Sequence, residues 1–437
     1  MKVTRRTFWS GVMGALVLMG LGIQPAAANS DNESADVILQ WNRLAQRDIG
    51  AGGQPFVQTR RYAMVHVAMA DAVLAIDERY APLHVRTWAP SGASKSAAAA
   101  QAARDIMVSF FPANQAEYDA TLAATLATIA PGRAAAGVAV GQRVATAVLA
   151  WRANDGFATA NPQPSTVLPS TLPGVWRRTA SGPAQYSELG FVEPFGVLTP
   201  YQFLPAAPPQ LESAEYAQDF NDVKNNGRAT GSTRTPEQTR FALLFAGAGA
   251  FANVTNPFRL WHTVARDVAQ QKGLSLVDTA RLFALLSVAI HDGLQTAHSS
   301  KFVYKLWRPE TAIDQAALDN NSATDAEAGW QPLIVTPPYP SHSSNMSCIG
   351  VSAARMLANV FDTDDVAFTA RWLTGGASPT VVHAQPYTSF WAMAADQGSS
   401  RVWGGVHYRF EITASEAACL QVADFIFERR MRPRHRR

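Results

Sequence analysis

Apolar residues recur three and four positions apart along most of the chain, the spacing of amphipathic helices. Trp41, Leu44 and Ala45 open the pattern, and Tyr62, Val65, His66, Met69, Ala70 and Val73 share one stripe of a long helix. Ala-rich helical segments follow at 93–111, 115–130 and 133–153, with Pro131-Gly132 breaking the last two apart. Residues 156–210 change character: ten prolines among many Gly, Ser and Thr predict a long ordered loop or a linker. Helical spacing returns at 213–226, 235–251, 257–272 and 275–297, then at 345–361, 364–373 and 413–429. Sustained strand alternation is scarce, and no internal repeat has a fixed period. The pattern predicts an all-α helical bundle: an N-terminal helical layer at 29–155, a Pro/Gly-rich crossover at 156–210, a C-terminal helical core at 211–428 and a basic tail at 429–437.

An apolar content of 47% in 437 residues excludes a disordered or collagen-like chain and supplies a large core. Charge is uneven. Lys2, Arg5 and Arg6 make the start basic, and six arginines from Arg429 to Arg437 make the end basic, while residues 29–428 carry a net −6. The body therefore offers no footprint for nucleic acid. The tail reads as a solvated C-terminus.

Residues 1–28 read as an export signal: a basic start, an apolar run from Phe8 to Ile23, and Ala26-Ala27-Ala28 suited to a signal peptidase. Thr4-Arg5-Arg6-Thr7-Phe8 resembles a twin-arginine signal, which predicts export of a folded protein to the periplasm or beyond. No later stretch has 18 uninterrupted apolar residues, so no stable membrane span is expected after signal removal. Cys348 and Cys419 are permitted to pair in such a compartment, although their spacing leaves pairing open. Two cysteines without partners at metal spacing argue against a Cys-based zinc site.

Hydrolase, metalloprotease and P-loop signatures are absent; what remains is basic and ordered. Lys301 and Arg308 lie seven positions apart, so on one helix they share a face and converge on one anion. Pro309 predicts that this helix ends at Arg308. Arg401 and His407, six apart, sit on different faces of a straight helix, and Gly404-Gly405 supplies the break that turns both inward. Glu411, four residues past His407, is placed to accept from one ring nitrogen and fix its tautomer. Two arginines and a lysine around a histidine describe a site for a tetrahedral oxyanion, because guanidinium forks bind oxygens bidentately while imidazole bonds the central atom.

Lys301-x6-Arg308-Pro309, Thr336-Pro337-Pro338-Tyr339-Pro340 and Ser400-Arg401-Val402-Trp403-Gly404-Gly405-Val406-His407 resemble the vanadium-dependent haloperoxidases, which share a helical fold and anion pocket with the phosphatidic acid phosphatase superfamily. Trp41-Asn42, the Arg61–Ala72 stretch with His66 and Asp71, Trp176-Arg177 and Leu282–Asp292 extend the similarity to the bacterial, single-chain branch. The resemblance implies that Lys301, Arg308 and Arg401 hold vanadate oxygens. His407 then coordinates vanadium, or acts as the nucleophile if phosphate occupies the pocket. Hydrogen peroxide and halide, or a phosphate ester, follow as substrates.

One element departs from the family pattern. Where the family has Pro-Ser-Gly-His after the Pro-rich turn, a gap-free alignment offers Ser343-Ser344-Asn345-Met346, which keeps the serine, places Asn345 at the amide that binds oxygen, and replaces the acid–base histidine by Met346. Aligned on Pro340-Ser341, His342 becomes the acid–base candidate. Because the apolar stripe continues in step, the gap-free register is favoured. Either way the helix N-terminus presents amides to an anion; proton transfer is what the departure puts in question. A thioether beside a working peroxide site is easily oxidised, which counts against Met346 facing one. His383 is a further histidine able to fold back and substitute, whereas His262, His291 and His298 read as structural. Trp307 and Trp403 read as core packing, with a halide or substrate pocket as the alternative, and Asp292 reads as a helix cap or surface residue, with holding a pocket residue as the alternative.

Overall fold

Helices form where the apolar period predicts them, most with a proline or a hydroxyl cap at the first turn. The computed structural model describes residues 33–51, 53–160, 170–179, 184–375 and 379–434. The export signal lies outside the described residues, as do Arg436 and Arg437 of the basic tail. In chain order the α-helices are α1 (Asp36–Asp48), α2 (Pro55–Leu74), α3 (Lys95–Phe110), α4 (Gln115–Leu126), α5 (Pro131–Ala153), α6 (Phe157–Ala160), α7 (Ala214–Asn226), α8 (Pro236–Ala246), α9 (Pro257–Gln271), α10 (Leu276–Tyr304), α11 (Pro309–Asp314), α12 (Asn345–Phe361), α13 (Phe390–Trp403) and α14 (Arg409–Arg429).

Helix α10 is the axis of the molecule. From Leu276 to Lys301 nearly every side chain is buried, so the helix is apolar all round rather than along a stripe. It packs against α2 on one side and against α12 and α14 on another, while α3 lies between α2 and α5. Small residues let α3 and α5 approach closely: a Cβ on Gly141 would stand 2.5 Å from the Ala98 carbonyl oxygen. Among the described residues α5 is the one helix long and apolar enough to cross a membrane. Here it packs on α3 and α2, and Arg143 within it donates to the Trp88 carbonyl at 2.8 Å.

Two expectations are corrected. The segment expected to be helical at 364–373 instead holds strand β1 (Phe368–Leu373), paired antiparallel with β2 (Val381–Tyr387) from Phe368↔Tyr387 to a bulge at Trp372/Leu373. Ala370 and Trp372 are buried and Arg371 between them is exposed, an alternation too short to stand out in sequence. Trp372 is fixed by an edge-on contact with Phe245 of α8, a partner that only the tertiary fold supplies. Asp292 is not a surface residue: fully buried on α10, it accepts the backbone N–H groups of Phe195, Gly196 and Val197 at 3.0, 2.6 and 2.9 Å. It thereby anchors the end of the Pro-rich crossover to the central helix. Asp71 of α2 does the same for Leu83, His84 and Val85, and burial raises its pKa to about 6.

Cys348 of α12 and Cys419 of α14 are joined by a disulfide, with Cα atoms 5.4 Å apart. The pairing left open by sequence is therefore made.

Candidate oxyanion site

Four chain segments meet at the C-terminal end of α10. Helix α10 stops at Tyr304 because Lys305 adopts a left-handed conformation (φ 52°) and its N–H caps the Lys301 carbonyl at 2.8 Å. Arg308 is thus not on the same helix as Lys301, as the seven-residue spacing had suggested. It is the extended residue before α11, where Pro309 takes the first helical position. The two side chains converge by another route, since both grip the loop from Tyr339 to Ser343. Lys301 Nζ, fully buried, donates to the Ser341 carbonyl at 2.7 Å and to the Ser343 carbonyl. Arg308 Nε donates to the Tyr339 carbonyl at 3.0 Å, and the Tyr339 ring lies under both cations.

The same loop delivers the chain into α12. Ser344 is its N-cap, accepting from Ser347 N–H, while its own N–H donates to Ser415 Oγ of α14 at 2.7 Å. Helix α12 therefore begins at Asn345, with Asn345 and Met346 in its first turn. Their N–H groups have no carbonyl within the helix to bond, and the helix dipole adds positive potential at this end. Met346 is partly buried at the edge of the main core. His342 precedes the helix; its Nε2 is 2.7 Å from the Ala206 carbonyl, and its Nδ1 is buried without a partner. Burial lowers the His342 pKa to about 4. His383 stands on β2, its ring against Trp372 and Phe241, away from this loop.

Arg401 comes from the last turn of α13, a helix whose diluted apolar pattern escaped the sequence reading. The break at Gly404-Gly405 is present: α13 ends at Trp403 and Gly405 takes a φ of 81°, with Gly227 packed against it so closely that a Cβ would meet the Gly227 carbonyl at 2.4 Å. Beyond the turn His407 Nδ1 lies 2.7 Å from Glu411 Oε2. That oxygen also accepts from Tyr408 N–H (2.9 Å) and Ser341 Oγ (2.9 Å), so Glu411 ties both ends of the site together. Glu411 reaches back from the first turn of α14 rather than along one continuous helix with His407. Since Glu411 Oε2 accepts, Nδ1 carries the imidazole proton and Nε2 keeps its lone pair. Arg308 Nη1 confirms that tautomer by donating toward Nε2 at 3.1 Å and to the Val406 carbonyl at 2.7 Å.

Electrostatically the cluster is overloaded with positive charge. Burial, then the neighbouring arginines, hold the Lys301 ammonium well below its ordinary pKa, and burial lowers Arg401 to about 10. His407 is pushed far down by burial and by Arg308, Lys301 and Arg401, so it is neutral and its contact with Glu411 is a hydrogen bond rather than an ion pair. Burial raises Glu411 to about 7 against the pull of Lys301 and Arg308. Three guanidinium N–H positions, Arg308 Nη2 and Arg401 Nε and Nη1, are buried with no partner. Cationic donors buried without acceptors are costly unless an anion satisfies them. Among the described residues no three His, Cys, Asp or Glu side chains cluster as for a simple metal ion. One imidazole Nε2 among arginines and a lysine fits a tetrahedral oxyanion such as vanadate or phosphate instead.

His298, which reads as structural in the sequence, has a polar partner on α12. It stands one turn before Lys301 on α10, and its Nδ1 meets Asn345 Nδ2 at 3.2 Å. Trp307 is fully buried and donates to Tyr216 Oη at 3.0 Å, which bears out its packing role.

Residues 281–436 match the model of the VCPO second helical-bundle domain. The vanadium chloroperoxidase of Curvularia inaequalis is 24% identical over 264 residues, 48% of this chain and 43% of that protein, so the match spans less than half of the curated relative. The crystal structure of a bacterial vanadium-dependent iodoperoxidase superposes with a TM-score of 0.75 at 22% identity, covering 91% of this chain and 97% of that one. A holo-type bacterial vanadium-dependent chloroperoxidase gives 0.70 at 15% identity, with 92% and 98% covered. Residues 281–436, the segment that carries Lys301, Arg308, Arg401 and His407, thus resemble the VCPO second helical-bundle domain, and the chain shares its fold with bacterial vanadium-dependent peroxidases over nine-tenths of its length.

Proposed function

We propose that this protein is a vanadium-dependent haloperoxidase, oxidising halide with hydrogen peroxide at a vanadate held by Lys301, Arg308, Arg401 and the first amides of α12, with His407 Nε2 on vanadium. The observation that carries the reading is the set of three buried, unpartnered guanidinium positions beside an imidazole whose Nε2 lone pair is fixed by Glu411 and faces Arg308 at 3.1 Å. Vanadate bound there supplies a Lewis-acidic centre for peroxide that needs no change of oxidation state. The chain's own residues bind and orient. Lys301, Arg308 and Arg401 hold oxygens, Glu411 keeps the His407 proton on Nδ1, and the enclosing helices exclude water and strengthen each charge interaction.

Met346 favours a second reading. A thioether in the first turn of α12 is vulnerable to peroxide, which leaves room for a phosphohydrolase in which His407 Nε2 would displace the ester oxygen from phosphorus and another group would protonate that oxygen; because the thioether transfers no proton, it suits above all an oxyanion-binding homologue with little turnover. We also place the protein outside the cytoplasm, on the twin-arginine pattern at Thr4–Phe8 and on the Cys348–Cys419 bond, which suits an oxidising compartment.

The deciding experiment is bromination of a phenolic dye by purified protein with hydrogen peroxide, with and without vanadate, beside hydrolysis of a phosphate monoester. Vanadate-dependent bromination is expected. Hydrolysis inhibited by vanadate, without bromination, would replace the first reading by the second.

A further inference from the structure

A chain of hydrogen bonds fixes the orientation of one carboxamide in the first turn of α12. His298 is fully buried in an aromatic box of Phe56, Tyr186, Phe302 and Tyr339. Its Nε2 lies 3.1 Å from the Gln185 carbonyl, which only accepts, so Nε2 carries the proton and Nδ1 must be an acceptor. The neighbour at Nδ1 is the Asn345 side chain, which therefore turns its NH2 group toward His298. Asn345 Oδ1 is left facing away from His298, buried and without a partner, in the first turn of α12. The arrangement is stable at neutral pH, because burial and the charges of Lys301 and Arg308 lower the His298 pKa to about 3 and keep Nδ1 unprotonated.

A carboxamide oxygen locked in the first turn of α12, the turn whose amides the proposed function gives to the anion, has a consequence for recognition. An anion with only lone pairs meets Arg308, Arg401 and Lys301 favourably but sets one oxygen against Asn345 Oδ1. An anion that keeps a hydroxyl satisfies both, donating that O–H to Oδ1 while its remaining oxygens accept from the cations. We infer that the site selects tetrahedral oxyanions that still carry a proton, such as hydrogen phosphate and hydrogen vanadate, over fully ionised ones such as sulfate, with Asn345 Oδ1 as the discriminating acceptor and His298 as the residue that positions it. This inference rests on the oxyanion reading of the site and concerns ligand choice rather than turnover.

The test is titration calorimetry of the purified protein at neutral pH with inorganic phosphate and with sulfate. Phosphate is expected to bind on the order of 10- to 100-fold more tightly, the cost of leaving one buried acceptor unpaired against a lone pair. In Asn345→Ala the two affinities converge, phosphate losing its acceptor and sulfate losing the oxygen that opposes it. In His298→Phe, which keeps the aromatic packing, the carboxamide is free to turn its NH2 to the anion and sulfate binds more tightly than in the native protein. A residue with only a structural role would not produce that gain. Equal affinity for the two anions in the native protein, or a preference that persists in Asn345→Ala, would overturn the inference. Arg401→Ala separates the two levels: if it leaves phosphate binding intact, the anion sits elsewhere and the oxyanion reading fails together with the selectivity built on it.

Discussion

Under the proposed function the residue with the largest consequence for activity is Met346, which the gap-free register sets where the family carries an acid–base histidine. A positioned acid–base contributes roughly 10²–10⁴-fold to a rate. On the gap-free reading His342 does not take over: its Nε2 is engaged by the Ala206 carbonyl and it precedes rather than begins α12, although its Nδ1 is buried without a partner. Met346→His is therefore expected to raise turnover by at least about tenfold, whereas His342→Ala in folded protein should change it by less than about threefold. Steady-state rates of halogenation and phosphate-ester hydrolysis in both variants check this. A collapse of activity in His342→Ala, with no gain in Met346→His, would transfer the role to His342. At the same scale, Glu411 Oε2 serves three donors while Oε1 has none, so a proton taken up near neutrality sits on Oε1 and leaves the His407 tautomer undisturbed.

Helices α12 and α14 carry opposite walls of the site and are fastened twice. Ser415 Oγ takes the Ser344 N–H, and one turn further on the Cys348–Cys419 bond closes a sequence separation of 71 residues. Cross-links over loops of this size stabilise by about 2–4 kcal/mol. Mild reduction, or Cys348→Ser with Cys419→Ser, should lower the urea midpoint accordingly and weaken phosphate binding, since the α12 amides lose their register against His407. An unchanged midpoint would show the bond to be energetically idle.

Elements of this kind differ in how far the sequence announces them. Helix α12 was legible to the residue because a hydroxyl cap and an unbroken apolar stripe agree. Strand β1 was not, since Phe368 and Trp372 also fit a helical period and only contact with Phe245 selects the strand. Lys301, Arg308, Arg401, His407 and Glu411 were legible through spacing and motif, although the route by which Arg308 reaches Lys301 was not. The polar partner of His298 was not legible, because Asn345 comes from 47 residues away and a histidine on an apolar helix looks like core.

At the scale of the whole molecule, burial of histidine sets the response to acid. Six of nine histidines, His66, His262, His291, His298, His342 and His407, are buried, and burial is the largest cause holding each below the ordinary value of about 6.5. Unfolding releases them to take up protons below that pH, so the unfolded chain binds more protons than the native one and stability falls as pH drops. Four buried carboxyls oppose this. Asp71 is raised to about 6, Glu411 to about 7, and Asp219 and Asp292 also upward, so each favours the native state at low pH and loses that contribution as pH rises through its folded value. Between roughly pH 5 and 6 the histidines outnumber them, and the melting temperature should fall steadily as pH is lowered through this window. Glu411→Gln removes one native-state proton from the opposing side and should steepen the loss by about 1.4 kcal/mol per pH unit. Thermal melts followed by circular dichroism from pH 7 to pH 5, in the native protein and the variant, measure both slopes. A melting temperature that rises on acidification would mean that the carboxyls outweigh the histidines, and a variant with an unchanged slope would place the extra proton of the site somewhere other than on Glu411.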